Sequence, residues 1–354
     1  MESDSYPHHM LREIYEEPRA ASDTLNNILK QRAEISSFLS RGRYDMIYTT
    51  GSGTSYHAGL AGQYAIGTLA KRTVTSIPAS EFRRWLPMLT RNFLLLAFSQ
   101  SGESADILDA VRAALERDAS VLAITNTPQS SLSKMAGYVL LTRAGNELAV
   151  TATKTFISQL AAVYLLSLEL GVKSSEVERW RTWLLEVSDL IGKTIKLNVK
   201  LTEELAGKHK DKSFFFILGS GPNYVVALEG ALKLKEACNV FAEGFASREF
   251  LHGPVQLVNE RTPIVLIAPS NESRGESLGL IKDLGRFKAP LIAVSDEEGE
   301  IGRACESLLP VPKGAPEVFS PILNVVPLQL LAYYLSVSRG LNPDRPEKLS
   351  KVVR

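Results

Sequence analysis

The chain has 354 residues, 45% of them hydrophobic and 22% charged, with 40 basic against 39 acidic side chains and a net charge of +1. This is the composition of a soluble globular protein long enough for two separate cores, and its charge balance gives no global bias towards nucleic acid or an anionic membrane. Two isolated cysteines (Cys238 and Cys305), no apolar stretch of about 20 residues and an acidic start without a signal-peptide core point to a cytoplasmic protein with reduced thiols.

In chain order, residues 1–20 are polar and read as an arm, and 21–41 as an amphipathic helix with Leu25, Ile28, Leu29, Ile35 and Leu39 at helical spacing. Strand-like runs follow at 44–49, 73–77, 93–98, 120–125 and 138–142, separated or followed by helical patterns at 54–70, 80–88, 103–117 and 153–171. Residues 175–210 form a charged helical stretch without strand signals. The alternation restarts with strands at 213–218, 263–267 and 290–294 and helices at 223–240, 274–286 and 320–338. Such alternation predicts parallel sheets covered by helices on both faces. The expected organisation is an arm and helix (1–40), a first α/β domain (41–172), a helical connector (173–210), a second α/β domain (211–340) and a tail (341–354).

The halves echo each other. Met46-Ile47-Tyr48-Thr49-Thr50-Gly51-Ser52-Gly53 parallels Phe216-Ile217-Leu218-Gly219-Ser220-Gly221, and Leu95-Leu96-Ala97-Phe98-Ser99-Gln100 parallels Leu266-Ile267-Ala268-Pro269-Ser270-Asn271. A repeat of about 170 residues suggests a duplicated domain. The copies differ at their loops. Gly51-Ser52-Gly53-Thr54-Ser55 and Ser99-Gln100-Ser101-Gly102-Glu103-Ser104 each join a strand to a helix and are rich in hydroxyls, whereas the second copy carries Pro222 and Pro269. At the carboxyl edge of a parallel sheet, hydroxyls and helix-start N–H groups bind a phosphate without a metal. Helix capping and tight turns are the plainer reading of either loop alone; two in neighbouring units favour an anionic ligand. No Gly-Lys-Ser/Thr follows, and Tyr56 breaks a dinucleotide fingerprint, so neither nucleotide hydrolysis nor dinucleotide binding is expected.

Three further segments carry candidate chemistry. Lys233 and Glu236 share a helix face, which fits proton transfer or a surface ion pair. His252 precedes Gly253-Pro254 at a turn, where it can act as an acid/base or simply tie down a loop. The polar tail 345–354 reads as frayed, and physics alone does not single out Lys351.

Taken together, these segments resemble the sugar isomerase (SIS) domain superfamily, in particular the isomerase half of glucosamine-6-phosphate synthases. The motifs are Gly53-Thr54-Ser55-Tyr56, Ser80-Glu81-Phe82-Arg83, Ser99 to Ser104, Glu147-Leu148-Ala149-Val150-Thr151, Ala227 to Glu236 and Pro327 to Tyr333. The resemblance implies two tandem doubly wound, flavodoxin-like domains. It implies sugar-phosphate contacts at Thr54, Ser55, Ser99, Gln100, Ser101, Ser104 and Val150. It further implies a proton-transfer carboxylate at Glu236 assisted by Lys233, a ring-opening His252 donated across a homodimer interface, and an imine-forming Lys351. Ser104 stands where relatives have threonine, an exchange that keeps the hydroxyl.

The implied reaction opens a hexose phosphate ring and moves a proton between C1 and C2, with no metal, redox step or cofactor. No glutaminase segment precedes residue 20, so net deamination of glucosamine 6-phosphate to fructose 6-phosphate and ammonia is the expectation by mass action. The alternatives are an ammonia-dependent synthase, a synthase subunit fed by a separate glutaminase, a fructosamine-6-phosphate deglycase, a plain isomerase and a non-catalytic sugar-phosphate sensor.

Overall fold

The computed structural model describes residues 6–42, 44–89, 92–171 and 174–352. The expected boundary at 172–173, the first five residues of the expected arm and the last two of the tail lie outside the described residues. Five parallel strands, β1 (Met46–Gly51), β2 (Val74–Pro78), β3 (Phe93–Ser99), β4 (Ser120–Thr125) and β5 (Tyr138–Leu141), form one sheet in the order β2-β1-β3-β4-β5. Five more, β6 (Phe214–Gly219), β7 (Phe241–Ala246), β8 (Ile264–Ile267), β9 (Leu291–Ser295) and β10 (Ser307–Pro310), form a second in the order β7-β6-β8-β9-β10. Counted from its own first strand, each sheet has the same 2-1-3-4-5 order, the flavodoxin-like doubly wound pattern. The internal repeat is thus a repeat of topology.

The chain divides into two compact units. One holds the first sheet and the described parts of Glu16–Glu147, Lys154–Ser188 and Ser350–Arg354. The other holds the second sheet and those of Met1–Tyr15, Leu148–Thr153 and Asp189–Leu349. We call them the β1–β5 unit and the β6–β10 unit.

In the β1–β5 unit, every residue of β3 is buried, as a continuous apolar run covered on both faces requires. Tyr48, Leu95, Ala97, Val121 and Ala123 pack on one face against Phe82 and the helix Ala105–Leu115. On the other face lie the helices Thr54–Ala70, Lys154–Leu170 and Glu17–Lys30. The helix Lys154–Leu170 is buried along nearly its whole length. Complete burial of a side chain such as Leu94 or Phe98 contributes about 1.5–3 kcal/mol.

In the β6–β10 unit, Phe216, Leu218, Ile264, Leu266 and Ala293 build one core with Leu280, Ile281 and Leu284 of the helix Arg274–Gly285. The helix Tyr224–Cys238 packs against the helix Val326–Ser338. Gly230 permits this contact, because a Cβ there would lie 2.5 Å from Leu328 Cδ1. The stretch Pro321–Ser338 is long and apolar enough to cross a membrane, yet it is 83% buried within the fold, as a core helix is.

Several elements depart from the sequence pattern. Residues 9–15 and 17–30 are helical where an arm was expected up to 20; the first of these helices starts where the Asp344 carboxylate accepts from His9 N–H (2.8 Å) and Met10 N–H (2.7 Å). That cap comes from a residue more than 330 positions away, so no local pattern announces it. The stretch 175–210 is two helices, Ser175–Leu185 and Val187–His209. The edge strands β7, interrupted by Glu243 and Gly244, and β10, ending in Pro310, lack a strand signature because an edge tolerates such residues.

Candidate functional site

In the β1–β5 unit the chain leaves β1 towards β2 on one side and β3 towards β4 on the other, so their exit loops part company where two adjacent strands end. In doubly wound sheets this crevice takes the ligand. Both hydroxyl-rich loops lie there. Thr54 opens the 17-residue helix Thr54–Ala70, whose N-terminal end favours an anion. Ser55 Oγ accepts from Gln159 Nε2 (3.0 Å), which orients it from the helix Lys154–Leu170.

The second loop is organised by its own hydroxyls. Ser99 Oγ accepts from Gly102 N–H (3.0 Å) and Ser101 Oγ from Glu103 N–H (3.2 Å), so each O–H keeps its proton to donate outward. Ser104 occupies the N-cap of Ala105–Leu115 without a side-chain capping bond. The Gln100 carbonyl anchors the loop, accepting from Asn126 N–H (3.2 Å) and from the hydroxyls of Thr125 and Thr127 (3.3 Å each). Glu103 turns its carboxylate away to Ser131 N–H (2.9 Å) and Oγ (2.8 Å). Gly102 has φ +67°, and a Cβ there would fall 2.2 Å from Ser130 Oγ, so glycine is required.

Lys351 is held in the same unit. Its Nζ donates to Glu147 Oε2 (2.6 Å), and the Glu147 side chain is fully buried. Glu147 also accepts from Thr155 N–H at Oε1 (3.1 Å) and from Thr155 Oγ1 at Oε2 (2.8 Å), at the N-terminal turn of Lys154–Leu170. The tail therefore does not fray at this position.

In the β6–β10 unit, Lys233 is completely buried on the helix Tyr224–Cys238, with Nζ 2.6 Å from Glu236 Oε2 and 3.3 Å from Glu229 Oε1. Burial works against its ammonium form, but the two carboxylates outweigh it and hold the lysine pKa above its ordinary value. Glu229 is fully buried, whereas the Glu236 side chain is 22% exposed. The surface ion pair allowed by spacing alone is thus a largely buried triad. Composition and motif do not single out Glu229, although its i,i+4 spacing to Lys233 is a visible signal. His252 is exposed and follows the turn Glu249–Leu251, its N–H donating to Glu249 O (3.0 Å). Val150 donates its N–H to Asp344 O (3.0 Å), in a strap whose Leu148 and Ala149 N–H groups reach the buried Glu13 carboxylate (2.5 and 3.3 Å). Glu13, like Glu147, has a role that only its distant partners reveal.

The corresponding crevice of the second sheet has the opposite character. Glu317 faces Gly221 after β6, Ser273 Oγ donates to it, and Ser220 Oγ donates to Glu276 Oε1 (2.5 Å). Burial and the neighbouring Glu272 push the Glu317 carboxyl up to about 7. At this edge the Ser220 and Ser273 hydroxyls are spent on carboxyl groups of the chain itself. The sought residues are therefore distributed: Thr54, Ser55, Ser99, Gln100, Ser101, Ser104 and Lys351 belong to the β1–β5 unit, and Val150, Lys233, Glu236 and His252 to the β6–β10 unit. Among the described residues no three His, Cys, Asp or Glu side chains group as metal ligands.

Comparison with known proteins adds an independent line. The SIS domain family model matches residues 43–168 and 210–339. The isomerizing glutamine–fructose-6-phosphate aminotransferase of Pyrococcus horikoshii is 38% identical over 354 residues, covering 99% of this chain and 58% of that protein. The protein of the same name from Thermococcus kodakarensis is 40% identical over 361 residues, covering 99% and 59%. The chain therefore spans less than two thirds of the length of these curated relatives. Among solved structures, the C-terminal domain of glucosamine-fructose-6-phosphate aminotransferase from Francisella tularensis superposes with a TM-score of 0.89 at 29% identity, covering 98% of this chain and all of that one. Glucosamine-6-phosphate deaminase from Thermotoga maritima superposes with 0.81 at 26%, covering 98% and 99%.

Proposed function

This chain belongs to the SIS domain family, and from that premise we propose that it is a sugar-phosphate aldose–ketose isomerase serving the synthesis of glucosamine 6-phosphate from fructose 6-phosphate and ammonia. The observation that carries the reading is the Lys233–Glu236 pair, a buried cation set against a reachable carboxylate. The aminotransferase relatives, aligned along nearly the whole chain, support the synthetic direction over the net deamination expected from sequence.

In this reading Thr54, Ser55, Ser99, Gln100, Ser101 and Ser104 grip the phosphate, and their remote binding energy positions the reacting carbons. The Val150 backbone contributes to sugar binding. Glu236 carries the proton between C1 and C2, oriented by Lys233. His252, supplied by a second copy of the chain, opens the ring, and Lys351 forms an imine with the open-chain ketose. A glutaminase supplies the ammonia. Incubation with fructose 6-phosphate and ammonium, followed by detection of glucosamine 6-phosphate, tests the reading. No conversion in either direction, and no exchange of fructose for glucose 6-phosphate, would end it.

A second reading, net deamination, is supported by the end-to-end match to the Thermotoga maritima deaminase. Steady-state rates in both directions, with ammonium and with glutamine plus a glutaminase, separate the two.

A further inference from the structure

We infer that Glu147 is the positioning residue for Lys351, serving as fixed counter-ion to its ammonium and to the iminium formed from it. The inference rests on the reading of Lys351 as the imine-forming lysine, and it deepens that reading. Donors to the buried Glu147 carboxylate include Thr155 N–H, Thr155 Oγ1 and Lys351 Nζ. Two of them belong to the first turn of a 17-residue helix, whose positive end favours the ionised carboxyl. Thr155 thus holds the carboxylate in place for Lys351, whose side chain is 27% exposed. The neighbouring cation Lys154 does not compete for it, because its Nζ is engaged by Glu16 and by the Asn146 carbonyl (2.7 Å).

Charge bookkeeping explains why a fixed anion suits this step. The ammonium sheds one proton to solvent, and its lone pair forms the C–N bond at the ketose carbonyl carbon while the carbonyl π electrons move to oxygen. That oxygen takes a second proton from nitrogen and one from solvent, then leaves as water with the C–O bonding pair. The nitrogen lone pair completes the C=N bond. Ammonium plus ketone has become iminium plus water, with no net change in protons and one positive charge on Nζ at both ends. An anion 2.6 Å away stabilises both cations and holds Nζ in place for attack.

The test is borohydride trapping with fructose 6-phosphate, read by peptide mass at Lys351. Wild type is expected to label. Glu147→Gln is expected to label at least about tenfold less at pH 7, the loss of one charged hydrogen bond. Glu147→Asp should recover part of the yield, and Thr155→Val, which keeps the charge, should lose less than Glu147→Gln. Equal labelling in Glu147→Gln overturns the assignment while leaving Lys351 intact. So does loss of labelling together with loss of fructose 6-phosphate binding, which marks a role in the fold alone. An unlabelled wild type overturns the Lys351 reading itself.

Discussion

Lys233 Nζ lies 2.6 Å from Glu236 Oε2, so a fully buried ammonium fixes the position of a carboxylate that still reaches solvent. Glu236→Gln keeps the shape and removes the base. Turnover is expected to fall by about 10²–10⁴, the usual weight of a positioned acid/base, while fructose 6-phosphate binding measured by calorimetry stays within a few-fold. Undiminished turnover would remove Glu236 from the chemistry.

Lys233 also neutralises Glu229, 3.3 Å away and equally buried. Lys233→Met removes the ammonium set between two carboxylates and is expected to destabilise by about 3–5 kcal/mol in urea unfolding. Changing Glu229 to Leu in the same background should restore most of the loss. A single variant as stable as wild type would show that the triad is not energetically coupled.

Gly102 occupies a backbone conformation that side chains rarely adopt, and a methyl there would strike Ser130 Oγ. Gly102→Ala should move the Ser99–Ser104 loop, raising KM for fructose 6-phosphate at least about tenfold while changing kcat less, because the phosphate grip is lost before the chemistry. Unchanged KM would mean that this loop does not hold the phosphate.

Glu317 carries a folded-state pKa near 7 against an ordinary 4.5. Its raised value means the folded state holds the proton more tightly. The associated stability is present in full below about 4.5 and is lost as pH rises to about 7. Glu317→Gln removes that loss. The midpoint difference between wild type and variant, measured by urea denaturation, should therefore shift in the variant's favour across this window and level off above it. A difference independent of pH would refute the assignment.

The proposed contribution of His252 from a second copy predicts complementation. His252→Ala and Glu236→Gln, each strongly impaired alone, should recover part of the wild-type turnover when dissociated and reassembled together, since some mixed assemblies then hold one intact site. No recovery despite mixed assembly would confine the site to a single chain.

Much of the fold was legible because parallel strands buried on both faces read as apolar runs, and Phe93–Ser99 or Phe214–Gly219 can hardly be mistaken. The helix Thr54–Ala70 has the bounds its pattern suggested. Elements at edges and ends were less legible. The helix His9–Tyr15 depends on a cap from Asp344, and β7 and β10 tolerate glycine, glutamate and proline because an edge strand is paired on one side only. Within the site, the hydroxyl loops and the Lys233–Glu236 spacing were visible. Glu147, Glu13 and Glu229 took their meaning from the partners that bury them.

Local pattern thus determined which segments are strands, which are helices, that the unit is duplicated, and which copy carries the hydroxyls suited to an anion. These follow from periodicity and backbone chemistry, which act over a few residues. Tertiary structure alone decided which partners the buried carboxyl groups meet: Glu147 takes Lys351 across 204 positions, and Glu317 takes the Ser273 hydroxyl. The reason is physical. Removing an ionised group from water is costly unless a partner meets it there, and that partner is chosen by how the chain packs rather than by its order along the sequence.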